Sequence, residues 1–103
     1  MIKLSECTEP HLYRGTVLRY KGAYPYDKEY VEFMICEYHS MKEDRCPLAL
    51  YCVSGYNAGS LEYVFQKEAQ AEGAVAIRTD WLKENWQTKV CDGCDADEVS
   101  VTV

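Results

Sequence analysis

The chain has 103 residues, of which 48% are hydrophobic, 27% charged and 13% aromatic. Two Trp, nine Tyr and two Phe supply more buriable area than disordered segments carry, and no apolar run approaches the roughly 20 residues that a bilayer span requires. Seventeen acids against eleven bases leave a net charge of −6, a field that repels phosphate backbones and disfavours direct nucleic-acid binding.

In chain order, Met1-Ile2-Lys3-Leu4-Ser5-Glu6-Cys7 lacks the apolar stretch of a secretory signal, so a cytoplasmic protein is expected. Residues 13–20 (YRGTVLRY) are rich in aromatic and β-branched side chains and predict a strand. Gly22 and Pro25 punctuate residues 21–27 as a loop. Residues 30–38 alternate, with Val31, Phe33 and Ile35 on one face and Glu32, Met34 and Cys36 on the other, as in a half-buried strand. The polar run 39–45 reads as a loop, and residues 48–53 (LALYCV), apolar on both faces, as a central strand.

Turn residues fill 54–60 before a second alternation at 61–66, which places Leu61, Tyr63 and Phe65 inward and Glu62 and Gln66 outward. The two strands flanking that turn are expected to pair as a hairpin. Residues 73–78 can add a short strand. One helix is expected over about residues 79–88, with Thr79 or Asp80 as its cap. Trp81, Leu82, Asn85 and Trp86 fall within about 140° of one another on its surface. Val99, Val101 and Val103 alternate with polar residues in a final strand. With no repeat, low-complexity tract or Gly/Pro/Ser linker, the expectation is a single α+β domain over residues 1–103. Its mainly antiparallel sheet has five or six strands, with the Trp81/Trp86 face of the helix laid on it.

Catalysis has no positive signal. The chain lacks a glycine-rich phosphate loop ahead of a helix and a Gly-x-Ser-x-Gly elbow, and nothing in the sequence brings either histidine to a cysteine. No enzyme, cofactor or bound metal is therefore expected. The six cysteines, Cys7, Cys36, Cys46, Cys52, Cys91 and Cys94, read as reduced thiols in a chain with ample apolar content. Cys36-x-x-His39 and Cys91-x-x-Cys94 do form a nominal zinc set, so a zinc-stabilised interaction module using Cys91 and Cys94 with Cys36 or His39 is the alternative reading. Positions three apart on a strand face opposite ways, which weighs against it. A cysteine-dependent enzyme ranks third, because the acids beside Cys91 and Cys94 work against an activated thiolate.

Charge and tyrosine point instead to a protein partner. Residues 1–21 carry four bases and two acids, and the remainder seven bases and fifteen acids. Asp92, Asp95, Asp97 and Glu98 place four carboxylates in seven residues, suited to a basic partner. Tyr24 and Tyr26, with Asp27, Glu29 and Glu32, form a second candidate patch, since tyrosine gives large contact area at low entropy cost.

Several blocks carry a resemblance. Tyr13-Arg14-Gly15 with Val17-Leu18, Phe33-Met34, Ser54-Gly55-Tyr56-x-Ala58-Gly59 and Thr79-x-Trp81-Leu82-x-x-Asn85-Trp86 run in order along almost the whole chain. Together they resemble the forty-fifth numbered family of immunity proteins in bacterial polymorphic toxin and contact-dependent inhibition systems. After Trp86 the chain departs from that pattern, with Gln87-Thr88-Lys89-Val90 where another aromatic and a proline are expected. The resemblance implies a small α+β protein that binds and neutralises a toxin domain inside the producing bacterium. A nuclease, a ribonuclease in particular, is the expected toxin, with a basic cleft that an acidic surface can occlude. The shared motifs themselves look structural, with Gly55 and Gly59 shaping a turn and Trp81 and Trp86 packing a helix.

Overall fold

A computed structural model of the chain describes residues 1–21, 30–39, 45–55, 57–92 and 94–102. Strand β1 (Ile2–Lys3) leads into a 3-10 turn at Leu4–Glu6, and β2 (His11–Leu12) follows. Then come β3 (Val17–Lys21), β4 (Tyr30–Glu37), β5 (Arg45–Cys52) and β6 (Leu61–Gln66). Beyond a 3-10 turn at Lys67–Ala69 lie β7 (Ile77–Arg78) and helix α1 (Thr79–Asn85). The helix continues as a π turn at Trp86–Val90, and a 3-10 turn at Ala96–Glu98 runs into β8 (Val99–Val101).

Six strands form one antiparallel sheet in the order β1-β8-β3-β4-β5-β6, and β2 pairs with β7 in a small second sheet. The architecture is the expected α+β arrangement. One face of the large sheet is built from Leu18, Tyr20, Val31, Phe33, Ile35, Leu48, Leu50, Phe65, Val99 and Val101, all buried. These share a core with Leu4, Leu12, Ile77, Trp81, Leu82 and Trp86 from the turns, the small sheet and the helix. Burying each Leu, Ile, Val or Phe stabilises the fold by about 1.5–3 kcal/mol relative to exposure. The two tryptophans do what their spacing predicts: Trp86 packs edge-on against Tyr20 at 6.0 Å and Trp81 against Phe65 at 6.1 Å.

The differences from the sequence expectations have local causes. The first long strand starts at Val17 rather than at residue 13, because Gly15 adopts φ 91° and the Thr16 N–H closes a turn on the Tyr13 carbonyl at 3.1 Å. Strand β5 starts at Arg45, three residues early, and carries Pro47 inside it. Proline has no N–H for a ladder. Its register position falls where pairing with β6 is interrupted, between Arg45 opposite Gln66 and Ala49 opposite Val64, and its carbonyl still accepts from the Tyr38 N–H at 2.9 Å.

The expected hairpin forms, with the Gly59 N–H donating to the Cys52 carbonyl at 2.7 Å and Gly59 at φ 94°. Leu61 does not face inward, however. Leu50 pairs with Tyr63 but Tyr51 with Leu61, so one extra residue on β6 bulges and Leu61 turns out to 44% exposure. The helix cap is neither Thr79 nor Asp80: Arg78 occupies that position without a side-chain cap, while Asp80 Oδ1 accepts from the Trp81 N–H at 2.8 Å within the first turn. Most of the loop expected at 21–27, residues 40–44 of the loop expected at 39–45, and Val103 of the final strand lie outside the described residues.

Candidate functional site: an acidic turn at the sheet edge

The acidic segment is held by its own hydrogen bonds. The Cys94 N–H donates to the Cys91 carbonyl at 3.1 Å, and the Asp97 N–H to Asp95 Oδ1, also at 3.1 Å. The Glu98 N–H closes the 3-10 turn on the Asp95 carbonyl at 2.9 Å. Asp95 therefore caps the turn that it precedes, in the manner of an Asx residue. Cys91, Cys94 and Ala96 pack against the core, and the alternate positions Asp92, Asp95, Asp97 and Glu98 are all exposed. Among the described residues no cation pairs with any of these four carboxylates. Unpaired acids on a fixed turn give a concentrated negative potential.

Sequence spacing did not show that this turn meets the amino terminus. Strand β1 pairs with β8, and the Leu4–Glu6 turn packs against the Ala96–Glu98 turn, which brings exposed Glu6 to the same edge. Only the pairing of the two chain ends reveals that neighbourhood.

The second candidate patch is treated differently by the structure. Tyr24, Tyr26, Asp27 and Glu29 lie outside the described residues. Glu32 projects from the outward face of β4, where its Oε2 accepts from Arg19 Nε at 3.3 Å and Nη2 at 3.1 Å. The Arg19 guanidinium also lies 5.4 Å from the centre of the exposed Tyr30 ring. Glu32 is thus a neutralised member of a Tyr–Arg–Glu group, not a free acid.

The zinc set of the alternative reading is not assembled. Cys36 sits on the outward face of β4 and His39 is exposed beyond its end, while Cys91 and Cys94 pack against the core on the other side of the sheet. No three His, Cys, Asp or Glu side chains converge among the described residues. The six thiols are free. Burial raises the Cys91 thiol to about 11, opposed by a hydrogen bond from Tyr20 and reinforced by Cys94 and Asp92. Cys46 is likewise pushed up by burial.

One cleft of about 740 Å³ was not foreseen; it is lined by residues 7–11, Glu72, residues 78–80 and Lys83. Cys7 and His11 both border it, but Cys7 is buried and no hydrogen bond joins the pair. Its cations are already engaged by other lining residues: Lys83 Nζ donates to the Cys7 carbonyl at 2.7 Å, and Arg78 holds Asp80 at 3.1 Å. No helix among the described residues is long and apolar enough to cross a membrane.

Comparison with known proteins then defines the class, that of the immunity proteins. The chain belongs to the family described as Immunity protein 45, whose model matches residues 4–101. The match continues past Gln87-Thr88-Lys89-Val90, so the local departure there does not end the family's pattern. Membership implies a toxin as partner and its neutralisation as the role. No curated protein and no solved structure matches the chain.

Proposed function

We propose that residues 1–103 form a single immunity-type domain that neutralises a cognate toxin domain in the cytoplasm of the producing bacterium, by binding rather than by catalysis. The toxin in this reading is a nuclease, a ribonuclease in particular, of a polymorphic or contact-dependent inhibition system. Enzymes that grip phosphates need basic clefts, and an acidic surface seated there mimics the charge of the substrate and excludes it. The observation that carries this reading is the hydrogen-bonded turn bearing Asp92, Asp95, Asp97 and Glu98, with no cation pairing them among the described residues, on a chain of net charge −6. Tyr24, Tyr26, Asp27, Glu29 and Glu32 are the proposed second contact, with aromatic area from the tyrosines, charge from Asp27 and Glu29, and Glu32 engaged through its pair with Arg19. No metal or cofactor enters this mechanism.

Co-purification with the toxin domain encoded immediately upstream in the source genome tests the reading. A stable one-to-one complex of nanomolar or tighter affinity, with loss of the toxin's nuclease activity, is the expected result. Failure to bind overturns it. Binding to a toxin with no nuclease activity would keep the immunity role and remove the substrate-mimicry mechanism.

A further inference from the structure

Strands β3 to β6 cover the core with one face only. Their outward positions line up across the sheet by register: Val17 opposes Met34, Met34 opposes Tyr51, and Tyr51 opposes Leu61. All four are at least partly exposed, while Ala49, two residues before Tyr51 on the same face of β5, is buried. Neighbouring cross-strand positions interact as a unit, so this row is one continuous apolar stripe. Beside Met34 lies a shallow hollow of about 380 Å³, lined also by Gly15 and by Arg14 and Glu37, which pair at 2.6 Å. An added Cβ at Gly15 would meet nothing within 4 Å.

We infer that this open sheet face is a docking surface for the cognate toxin domain, with Met34 and Tyr51 at its centre and the hollow beside Met34 receiving an anchoring side chain. The inference rests on the toxin-binding reading and names the surface where that reading's affinity resides. Composition supports it, since Met, Tyr and Arg are the residue types enriched in interface cores. Charge decides the occupant. The face balances its own charges, Arg19 against Glu32 and Arg14 against Glu37, while the molecule carries −6. A second copy laid on this face would bring two bodies of −6 together, whereas a basic partner gains from the same field.

Size points the same way. Strands of 2, 3, 5, 8, 8 and 6 residues, at about 3.4 Å per residue and about 4.8 Å apart, give a flat area of roughly 500 Å². A standard interface takes about 800 Å² from each partner, so the face supplies most of one and an edge must supply the rest. The acidic turn runs directly into β8, whose Ser100 lies opposite Arg19 on this same face. One partner can therefore span both.

Met34→Arg and Leu61→Arg test the inference in the complete chain, with the upstream toxin domain as probe. Both side chains point away from the core, and Leu61 is exposed enough for its variant to fold even where Met34→Arg does not. The expected result is a melting temperature within a few degrees of the parent and a Kd raised 100-fold or more, mainly through faster dissociation. Folded variants that bind as tightly as the parent overturn the docking surface and leave the toxin-binding reading intact. A parent protein that does not bind the toxin overturns both. Micromolar self-association of the parent that Leu61→Arg abolishes assigns the face to a second copy and also overturns the inference.

Discussion

Cys91 shows how a single residue's surroundings override its sequence context. Its Cys-x-x-Cys spacing suggests metal or redox chemistry, yet its thiol is half-buried beside Tyr20 and Cys94 and raised from 9.0 to about 11. A thiolate is the reactive species, and a shift of that size lowers its population about 100-fold near neutral pH. The folded state holds the proton more tightly, so the contribution to stability is complete below about pH 9 and is lost as pH rises through about 11. Cys91→Ala should remove that part of the alkaline decline, read as the change in denaturation midpoint between pH 8 and pH 10.5. Equal declines in variant and parent would show that Cys91 does not govern it.

At the scale of elements, the segment from α1 into its π turn acts as the clamp on the sheet. Trp86 has no exposed surface, and the Cys91 N–H reaches back to its carbonyl at 2.7 Å across the π turn. One residue thus sets both the packing of the helix and the path of the chain toward the acidic turn. Trp86→Ala should destabilise the protein by about 3–5 kcal/mol, which is much of the 5–15 kcal/mol available to an ordinary domain. Trp86→Phe should lose much less, because the indole Nε1 is buried without a hydrogen-bond partner among the described residues and phenylalanine removes that donor. Urea midpoints of the two variants check the order; a Phe variant as unstable as the Ala variant would contradict it.

For the whole molecule the governing quantity is charge and where it is displayed. Asp95→Lys with Asp97→Lys moves the net charge from −6 to −2 and reverses the centre of the acidic turn. Association with a basic toxin should slow about 10-fold at low salt, with a smaller change in dissociation, since long-range charge acts mainly on encounter. The difference should fade toward 1 M salt, where screening acts within about 3 Å. Stopped-flow binding at two salt concentrations measures this. An unchanged association rate at low salt would remove the acidic turn from the contact. The two surfaces are therefore separable by experiment, the acidic turn through association and the open face through dissociation.

Much of the fold could be read from local pattern. The alternation over 30–38 is β4 with Val31, Phe33 and Ile35 buried, and the 3.6-residue spacing of Trp81, Leu82 and Trp86 is the buried face of α1. The turn at 54–60 joins β5 and β6 as expected, because glycine backbone freedom and side-chain alternation are properties of short stretches. Strands β1 and β2 have two residues each, too short for any period to show, and Leu61 was misplaced by a bulge that single-strand alternation does not encode.

The acidic segment was visible as composition, but its turn geometry came from the Asp95 cap and its neighbourhood from the union of the chain ends. Likewise, Glu32 is an acid in the sequence and half of an ion pair in the fold. Fold class, helix face and charge are local or additive, so the order of residues alone settles them. The insertion of β8 between β1 and β3, the open apolar row and the pairing of charges depend on contacts between residues far apart in sequence. Only closure of the whole sheet could decide these.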